Sequence, residues 1–255
     1  MMDALYISAI GLQAQKEQLD AIAGNFANAN TPAYKRRTVD FASVLDRGLA
    51  TRSSDRSANA GEARAARIVR FDLAQGDIRQ TGRALDLAIL GPGFIEVDLG
   101  AGARGYSRGG SLQVNADGML TLANGQVLKA DIRIPHGATA VEISTSGQVT
   151  ALLEGDRAPT VLGQLELALF PNPEALEYGG DGVFIARAGS AEATVMRPGD
   201  TGVGTLATKS LEGSNVRMVD EMVSLMLMQR VYELNTKVVQ AADEMMALTN
   251  SIRRN

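Results

Sequence analysis

The feature that most constrains this 255-residue chain is a heptad repeat of apolar residues towards its C-terminus. The repeat alternates spacings of four and three over residues 227–252 and continues upstream to residue 216. Its members are Val216, Val219, Val223, Leu227, Val231, Leu234, Val238, Ala241, Met245, Leu248 and Ile252. Because this spacing places every member on one side of a helix, it predicts a long α-helix that packs as a coiled coil. A helix of roughly 37 residues would be ~55 Å long.

A second amphipathic helix is predicted at the N-terminus. Leu5, Leu12, Leu19 and Phe26 recur every seven residues, and Ile22 widens the same stripe. Since this is the only other long stripe, we expect the two ends of the chain to pair as one discontinuous helical coiled coil. Two paired helices leave much apolar surface uncovered, so we also expect the stripes to contact further copies.

The middle of the chain has the pattern of β-structure. Short alternating apolar runs are separated by the turn dipeptides Asp117-Gly118, Asn124-Gly125 and Ser146-Gly147. Such dipeptides tolerate positive φ and favour hairpins, so a mainly antiparallel β module is predicted. The predicted fold class is therefore α+β.

The predicted domains follow from these patterns. Residues 1–35 would form the N-terminal helix of an inner-tube domain, and residues 210–255 the C-terminal helix that pairs with it. Residues 71–209 would form the central β domain. Residues 36–70 would form an extended linker, since they have no apolar periodicity.

Arginine is concentrated in that linker, at Arg47, Arg52, Arg56, Arg64, Arg67 and Arg70. One interpretation is that these side chains order the segment against a neighbouring molecule. The other is a solvated linker. Long loops are commonly either functional or disordered, so the length of the segment does not distinguish the two interpretations.

Composition excludes several kinds of chemistry. The chain has no Cys and one His, which rules out a Cys nucleophile, a disulfide framework and Cys-ligated metals. The single His136 lies in a Pro-His-Gly sequence, where an exposed turn is expected rather than a catalytic triad. No catalytic, cofactor-binding or metal-binding constellation is apparent, so we expect no enzyme and no cofactor.

Charge and hydropathy restrict the kinds of partner that the chain is expected to bind. The net charge of −4 argues against nucleic-acid binding, and no apolar run exceeds four residues, which argues against membrane insertion. The first residues lack a basic stretch followed by an apolar one, so no cleavable signal peptide is expected.

Five stretches resemble bacterial flagellar rod and hook proteins. Residues 24–36 resemble the family signature N-N-L-A-N-x-N-T-x-G-[YF]-K-R, with Gly24 in place of the first Asn and Ala33 in place of the usual Gly. The other four stretches, in chain order, are residues 85–94, 106–112, 212–216 and 229–235. Their order along the whole chain makes the resemblance specific to this family.

The resemblance implies a structural subunit of the flagellar basal-body rod that assembles helically into a tubular drive shaft. It favours the distal rod, with the proximal rod or a hook-type subunit as the alternative. It implies as partners other copies, other rod subunits, hook or hook-junction subunits, enclosing ring proteins and the export apparatus. The implied location is the rod across the periplasm, reached without a cleavable signal. The assembly interface would comprise the heptad residues above other than Ala241, the N-terminal stripe and Asn28.

Two interpretations of other classes remain open from the sequence alone. One is a coiled-coil adaptor that binds a different helical partner. The other is a hydrolase with a β fold, which a single His and the absence of a metal-ligand cluster make a poor match.

Overall fold

The computed structural model describes residues 2–39, 69–100, 102–130, 132–155, 158–186 and 192–252. The chain divides into two compact units. The helical unit comprises Met1–Ala29, Arg36–Asp72 and Val216–Asn255, and the sheet unit comprises Asn30–Lys35 and Leu73–Asn215. The α+β class predicted from the sequence is confirmed.

Two long helices dominate the helical unit. Helix α1 spans Met2–Ala27 and helix α2 spans Met218–Ile252. Asp220 and Glu221 lie in the first turn of α2, where carboxylates interact favourably with the helix dipole. No helix in the described part of the chain is both long and apolar enough to span a membrane.

A short ladder accompanies the helices. Strand β1 (Arg37–Val39) pairs antiparallel with β2 (Val69–Phe71), with Thr38 opposite Arg70. The two ends of the predicted linker therefore pair with each other. Residues 40–68, which carry five of the six linker arginines, lie outside the described residues.

The sheet unit contains sixteen described strands, and every described pairing is antiparallel, as predicted. They are β3 (Ile78–Gln80), β4 (Asp86–Leu90), β5 (Ile95–Asp98), β6 (Arg104–Ser107), β7 (Gly109–Val114), β8 (Leu120–Leu122), β9 (Val127–Leu128), β10 (Ala138–Ile143), β11 (Gln148–Leu153), β12 (Thr160–Gln164), β13 (Leu167–Leu169), β14 (Leu176–Gly180), β15 (Val183–Ala186), β16 (Thr194–Met196), β17 (Thr205–Thr208) and β18 (Ser210–Glu212).

The largest sheet has nine strands in the order β14-β15-β6-β5-β9-β8-β7-β4-β17. Smaller sheets are β10-β11-β12, β13-β16 and β18-β3, and a 3-10 turn at Pro173–Ala175 precedes β14. The core includes Leu87, Ile89, Val97 and Val149, all with no exposed surface. These residues come from β4, β5 and β11, so the core joins the nine-stranded sheet to the three-stranded one.

The predicted turns are confirmed. Gly118, Gly125 and Gly147 have φ of 77°, 85° and 87°, and they connect β7–β8, β8–β9 and β10–β11. At Gly118 an added Cβ would lie 2.5 Å from the carbonyl oxygen of Ile134, so glycine is required for space as well as for φ. His136 lies exposed in a turn before β10, as expected.

Asp86 at the start of β4 is a buried carboxylate that its neighbours keep ionised. Burial raises its pKa, but hydrogen bonds from Thr81, Arg83 and Ser111, together with the charge of Arg83, outweigh burial and lower the pKa below the ordinary 3.8. Thr81 Oγ1 lies 2.5 Å and Arg83 Nε 2.9 Å from Asp86 Oδ2.

Asp86→Asn tests this arrangement. Because the folded pKa is depressed, the carboxylate stabilises the fold above its unfolded pKa, and that contribution is lost as the pH falls through the folded pKa. We expect the wild type to be more stable than the variant at pH 7 and the difference to shrink below about pH 4. Urea unfolding followed by circular dichroism across this range measures it.

The exposed Asp117→Asn is the matched control, with an expected change within about 0.5 kcal/mol at any pH. A difference between Asp86→Asn and wild type that stays constant down to strong acid would contradict the account.

Candidate assembly surfaces

The described heptad residues of α2 lie on an exposed side of the helix. Val219 is 71% exposed, Leu234 61% and Val238 60%. Val223, Leu227 and Val231 are also exposed, and Val216 is half-buried just before the helix. For Met245, Leu248 and Ile252 the side chains lie outside the described residues.

A groove separates α1 from α2 on the other side of α2. It has a volume of about 920 Å³. The α2 residues that line it are Met228, Gln229, Tyr232 and Glu233, none of which belongs to the heptad. With 3.6 residues per turn, these residues and the heptad residues lie on opposite sides of α2.

Helix α1 divides its apolar residues between two faces. Ala14, Ala21 and Ile22 are buried, and the two alanines permit close packing of neighbouring elements. Leu19 and Phe26, by contrast, are 40% and 45% exposed.

The remaining predicted residues of the N-terminal stripe are also placed. Leu12 is half-buried and lines the groove together with Leu19. Asn28 donates from Nδ2 to the carbonyl oxygen of Gly24 at 2.9 Å, just past the end of α1. The side chain of Leu5 lies outside the described residues.

A coiled coil formed by the α1 and α2 stripes against each other is therefore not shown. The two helices do pack together, but they leave most of the described stripe residues exposed. A heptad shows which face of a helix is apolar, but it does not show what that face packs against. Small and polar residues on another face can therefore form the helix–helix contact within one chain. Of the predicted linker arginines, only Arg70 is described; it lies exposed on β2.

The sheet unit contains a buried ion pair that the sequence analysis did not single out. Lys35 Nζ lies 2.6 Å from Glu212 Oε1, and each side chain is 1% exposed. Lys35 also donates to the carbonyl oxygen of Ala74 at 2.6 Å, and Gly76 N–H donates to Glu212 Oε1 at 2.9 Å. This cluster joins two segments that are 177 residues apart in sequence.

Arg108 lies against the second oxygen of the same carboxylate, with Nε 3.5 Å from Glu212 Oε2. Its Nη1 donates to the carbonyl oxygens of Gly91 at 2.8 Å and Gly93 at 2.7 Å, and Nη2 donates to that of Ile89 at 3.3 Å. Burial lowers the pKa of Arg108, and the carboxylate of Glu212 opposes that effect. Two cations thus share one buried anion.

Ala33 adopts the left-handed conformation usually left to glycine, with φ of 56°. The methyl group is buried, and the Ala33 N–H donates to the carbonyl oxygen of Glu212 at 2.8 Å. The turn that the family signature assigns to glycine is therefore formed here by alanine, with a main-chain bond to the ion-paired residue holding it in place.

The helical unit has an ion pair of its own. Arg36 Nε lies 2.5 Å from Oε1 of Glu221, whose side chain is 1% exposed in the first turn of α2. The adjacent residues Lys35 and Arg36 thus each bind a buried glutamate, one in each unit.

The sequence contained one signal for these residues. The stretches that carry the family resemblance include Lys35, Arg36, Arg108 and Glu212, and that position could have identified them.

Three family models match the chain in order. The Flagella basal body rod protein model matches residues 5–35, the Flagellar hook protein FlgE/F/G D1 domain matches residues 88–151, and the Flagellar basal body rod FlgEFG protein C-terminal matches residues 207–252.

Individual relatives match along nearly the whole chain. A flagellar basal-body rod protein FlgG from Caulobacter vibrioides is 35% identical over 99% of this chain and 100% of its own length. One from Agrobacterium fabrum is 37% identical over 98% of both chains. The flagellar basal-body rod protein FlgF from Escherichia coli is 32% identical over 98% of both.

Lys35→Met tests the buried cluster. Removing one partner leaves the Glu212 carboxylate buried beside a single cation, so we expect a loss of about 3–5 kcal/mol in the free energy of unfolding. Urea unfolding of the full chain measures the loss. The matched control is Lys209→Met, since Lys209 pairs with Glu142 at 3.3 Å with both side chains largely exposed, and less than about 1 kcal/mol is expected there. Equal losses in the two variants would contradict the assigned role of the buried pair.

Proposed function

This chain belongs to the family of flagellar basal-body rod and hook proteins and is a structural subunit of the rod, and we propose that its copies assemble into the distal rod through the stripes of α1 and α2. The observation that carries the proposal is the exposed apolar surface of α2 over residues 218–238. Ten large apolar residues on this stretch are 40% or more exposed. Six belong to the heptad face, namely Val219, Val223, Leu227, Val231, Leu234 and Val238, and the other four, Met218, Met222, Met226 and Tyr232, lie outside it.

The exposed apolar surface of α2 is larger than the apolar patches that a single soluble chain usually exposes. Monomers rarely expose contiguous apolar patches above a few hundred Å². Burying the exposed half of one such side chain contributes about 1 kcal/mol, so the six residues of the heptad face together supply about 6 kcal/mol. Bringing two copies together costs a similar amount in lost freedom. One contact is therefore marginal, and an assembly in which each copy has several neighbours is favoured over a dimer.

In the assembly, we propose that the stripes pack between copies in the manner of a coiled coil. The interface comprises the predicted stripe residues, including those whose side chains are not described. Residues 1–35 and 210–255 form the inner tube, and residues 71–209 form an outer layer. Residues 36–70 follow a neighbouring copy through their arginines.

The proposed neighbours follow from this position in the rod. They are other rod subunits, hook or hook-junction subunits, and the ring proteins that enclose the shaft. The subunit reaches the periplasmic part of the basal body through the export apparatus. Its role is mechanical, and we propose no catalytic activity for it.

A proximal rod or hook-type subunit is the second candidate. It is supported by the FlgF match, which covers as much of the chain as the FlgG matches at similar identity. Both candidates use the same helical surfaces, and electron cryomicroscopy of basal bodies that carry a labelled subunit separates them by its distance from the hook.

The double variant Val223→Asp/Leu227→Asp tests the assembly surface. Each substitution places a carboxylate on the exposed face of α2, where burial against another copy would desolvate it. We expect polymers of the full-length protein to be lost, as measured by sedimentation and negative-stain electron microscopy, while the circular dichroism spectrum is retained.

The matched control is Val195→Asp/Val161→Asp on the sheet unit. Val195 and Val161 are 47% and 55% exposed, against 46% and 57% for Val223 and Leu227. The control variant should polymerise as the wild type does. Polymers that survive the α2 substitutions would refute the proposed interface, and a wild-type chain that never self-associates would favour the adaptor.

A further inference from the structure

The helical unit presents two unlike apolar surfaces on opposite sides of α2, and they differ in charge. We propose that the groove between α1 and α2 of one copy receives the heptad face of α2 from the next copy. This inference rests on the proposed function and adds which surface meets which.

The lining of the groove is apolar and acidic. Leu12, Leu19, Met228 and Tyr232 supply the apolar part. Among the described residues that line it, Glu17, Asp20 and Glu233 are acidic and Lys16 is basic. The groove follows α1 from residue 12 to residue 20, a length of ~12 Å.

Over residues 223–238 the heptad face carries the opposite charge, while Asp220, nearer the start of α2, adds one acid on the same side. Arg230 and Lys237 follow Val223 at successive intervals of seven residues, so all three lie at nearly the same angle around α2. Both cations are exposed, and they are ~10 Å apart along the helix. This spacing is close to the length of the acidic groove.

Among the described residues, Glu17, Asp20, Arg230 and Lys237 form no ion pair. Two cations on the apolar face would repel each other across a symmetric contact of that face with itself. Against the acidic groove they find counter-ions, so the charges favour the unlike pairing.

Unlike pairing has a consequence for the form of the assembly. When the heptad face of each copy occupies the groove of the next, every complex keeps one free face and one free groove at its ends. Contacts of this heterologous kind generate rings or open helical polymers. The arrangement therefore supplies a directional, extendable contact for a shaft.

Charge reversal on full-length protein tests the pairing. The groove variant is Glu17→Lys/Asp20→Lys and the face variant is Arg230→Glu/Lys237→Glu. Each alone should raise the concentration needed for sedimentation of polymers by about ten-fold or more, since like charges then meet across the contact. An equimolar mixture should assemble within about three-fold of the wild-type concentration, because every contact in an alternating copolymer pairs opposite charges.

The control is Glu166→Lys/Glu192→Lys, an equal charge change at exposed positions of the sheet unit. It should assemble as the wild type does. If the groove variant assembles like the wild type while Val223→Asp/Leu227→Asp does not, the proposed function stands and the groove pairing is refuted.

Two further outcomes would also refute the groove pairing. A mixture that assembles no better than either variant alone overturns the pairing. Assembly that survives the α2 aspartates as well refutes the proposed function together with this inference.

Discussion

The described heptad residues of α2 are exposed to solvent, and the rest of the structure is consistent with that constraint. A helix of 35 residues cannot bury opposite sides against one partner helix of 26 residues. The two helices pack together, but the heptad side of α2 remains exposed. Exposure of this face to water is unfavourable, and burial against another copy would remove that cost. Under the proposed function, burial of this surface drives the assembly.

The buried ion pairs complement this arrangement by fixing where each unit begins and ends. Lys35 and Glu212 lie at the two borders between the terminal segments and the strands, and their pairing closes a loop of 177 residues. Arg36 and Glu221 do the same at the first turn of α2. Charged pairs excluded from water resist displacement, because separating them leaves a bare charge buried. Lys35 fixes the ends of the sheet unit in this way, and Arg36 fixes the start of α2 within the helical unit.

Much of the fold could be predicted from the sequence. The seven-residue spacing predicted both helices, and Asp117-Gly118 and Asn124-Gly125 predicted hairpins, because those signals are local. What the stripes pack against could not be predicted, because periodicity identifies an apolar face without identifying what covers it. The pairing of Lys35 with Glu212 could not be predicted either, because no spacing rule links residues so far apart. Ala33 shows the same limit: its left-handed turn depends on a main-chain bond to Glu212 that only the folded chain reveals.

The central claim is that the heptad face is exposed in the single chain and buried in the assembly. The chain has no cysteine, so single substitutions such as Val219→Cys and Leu234→Cys introduce unique labels on that face. The most direct measurement is the rate of maleimide labelling at these positions before and after assembly, with Val161→Cys on the sheet unit as reference. The account predicts rapid labelling of all three in the monomer and strong protection of residues 219 and 234 alone in the polymer. Equal labelling of all three positions in the polymer would contradict it.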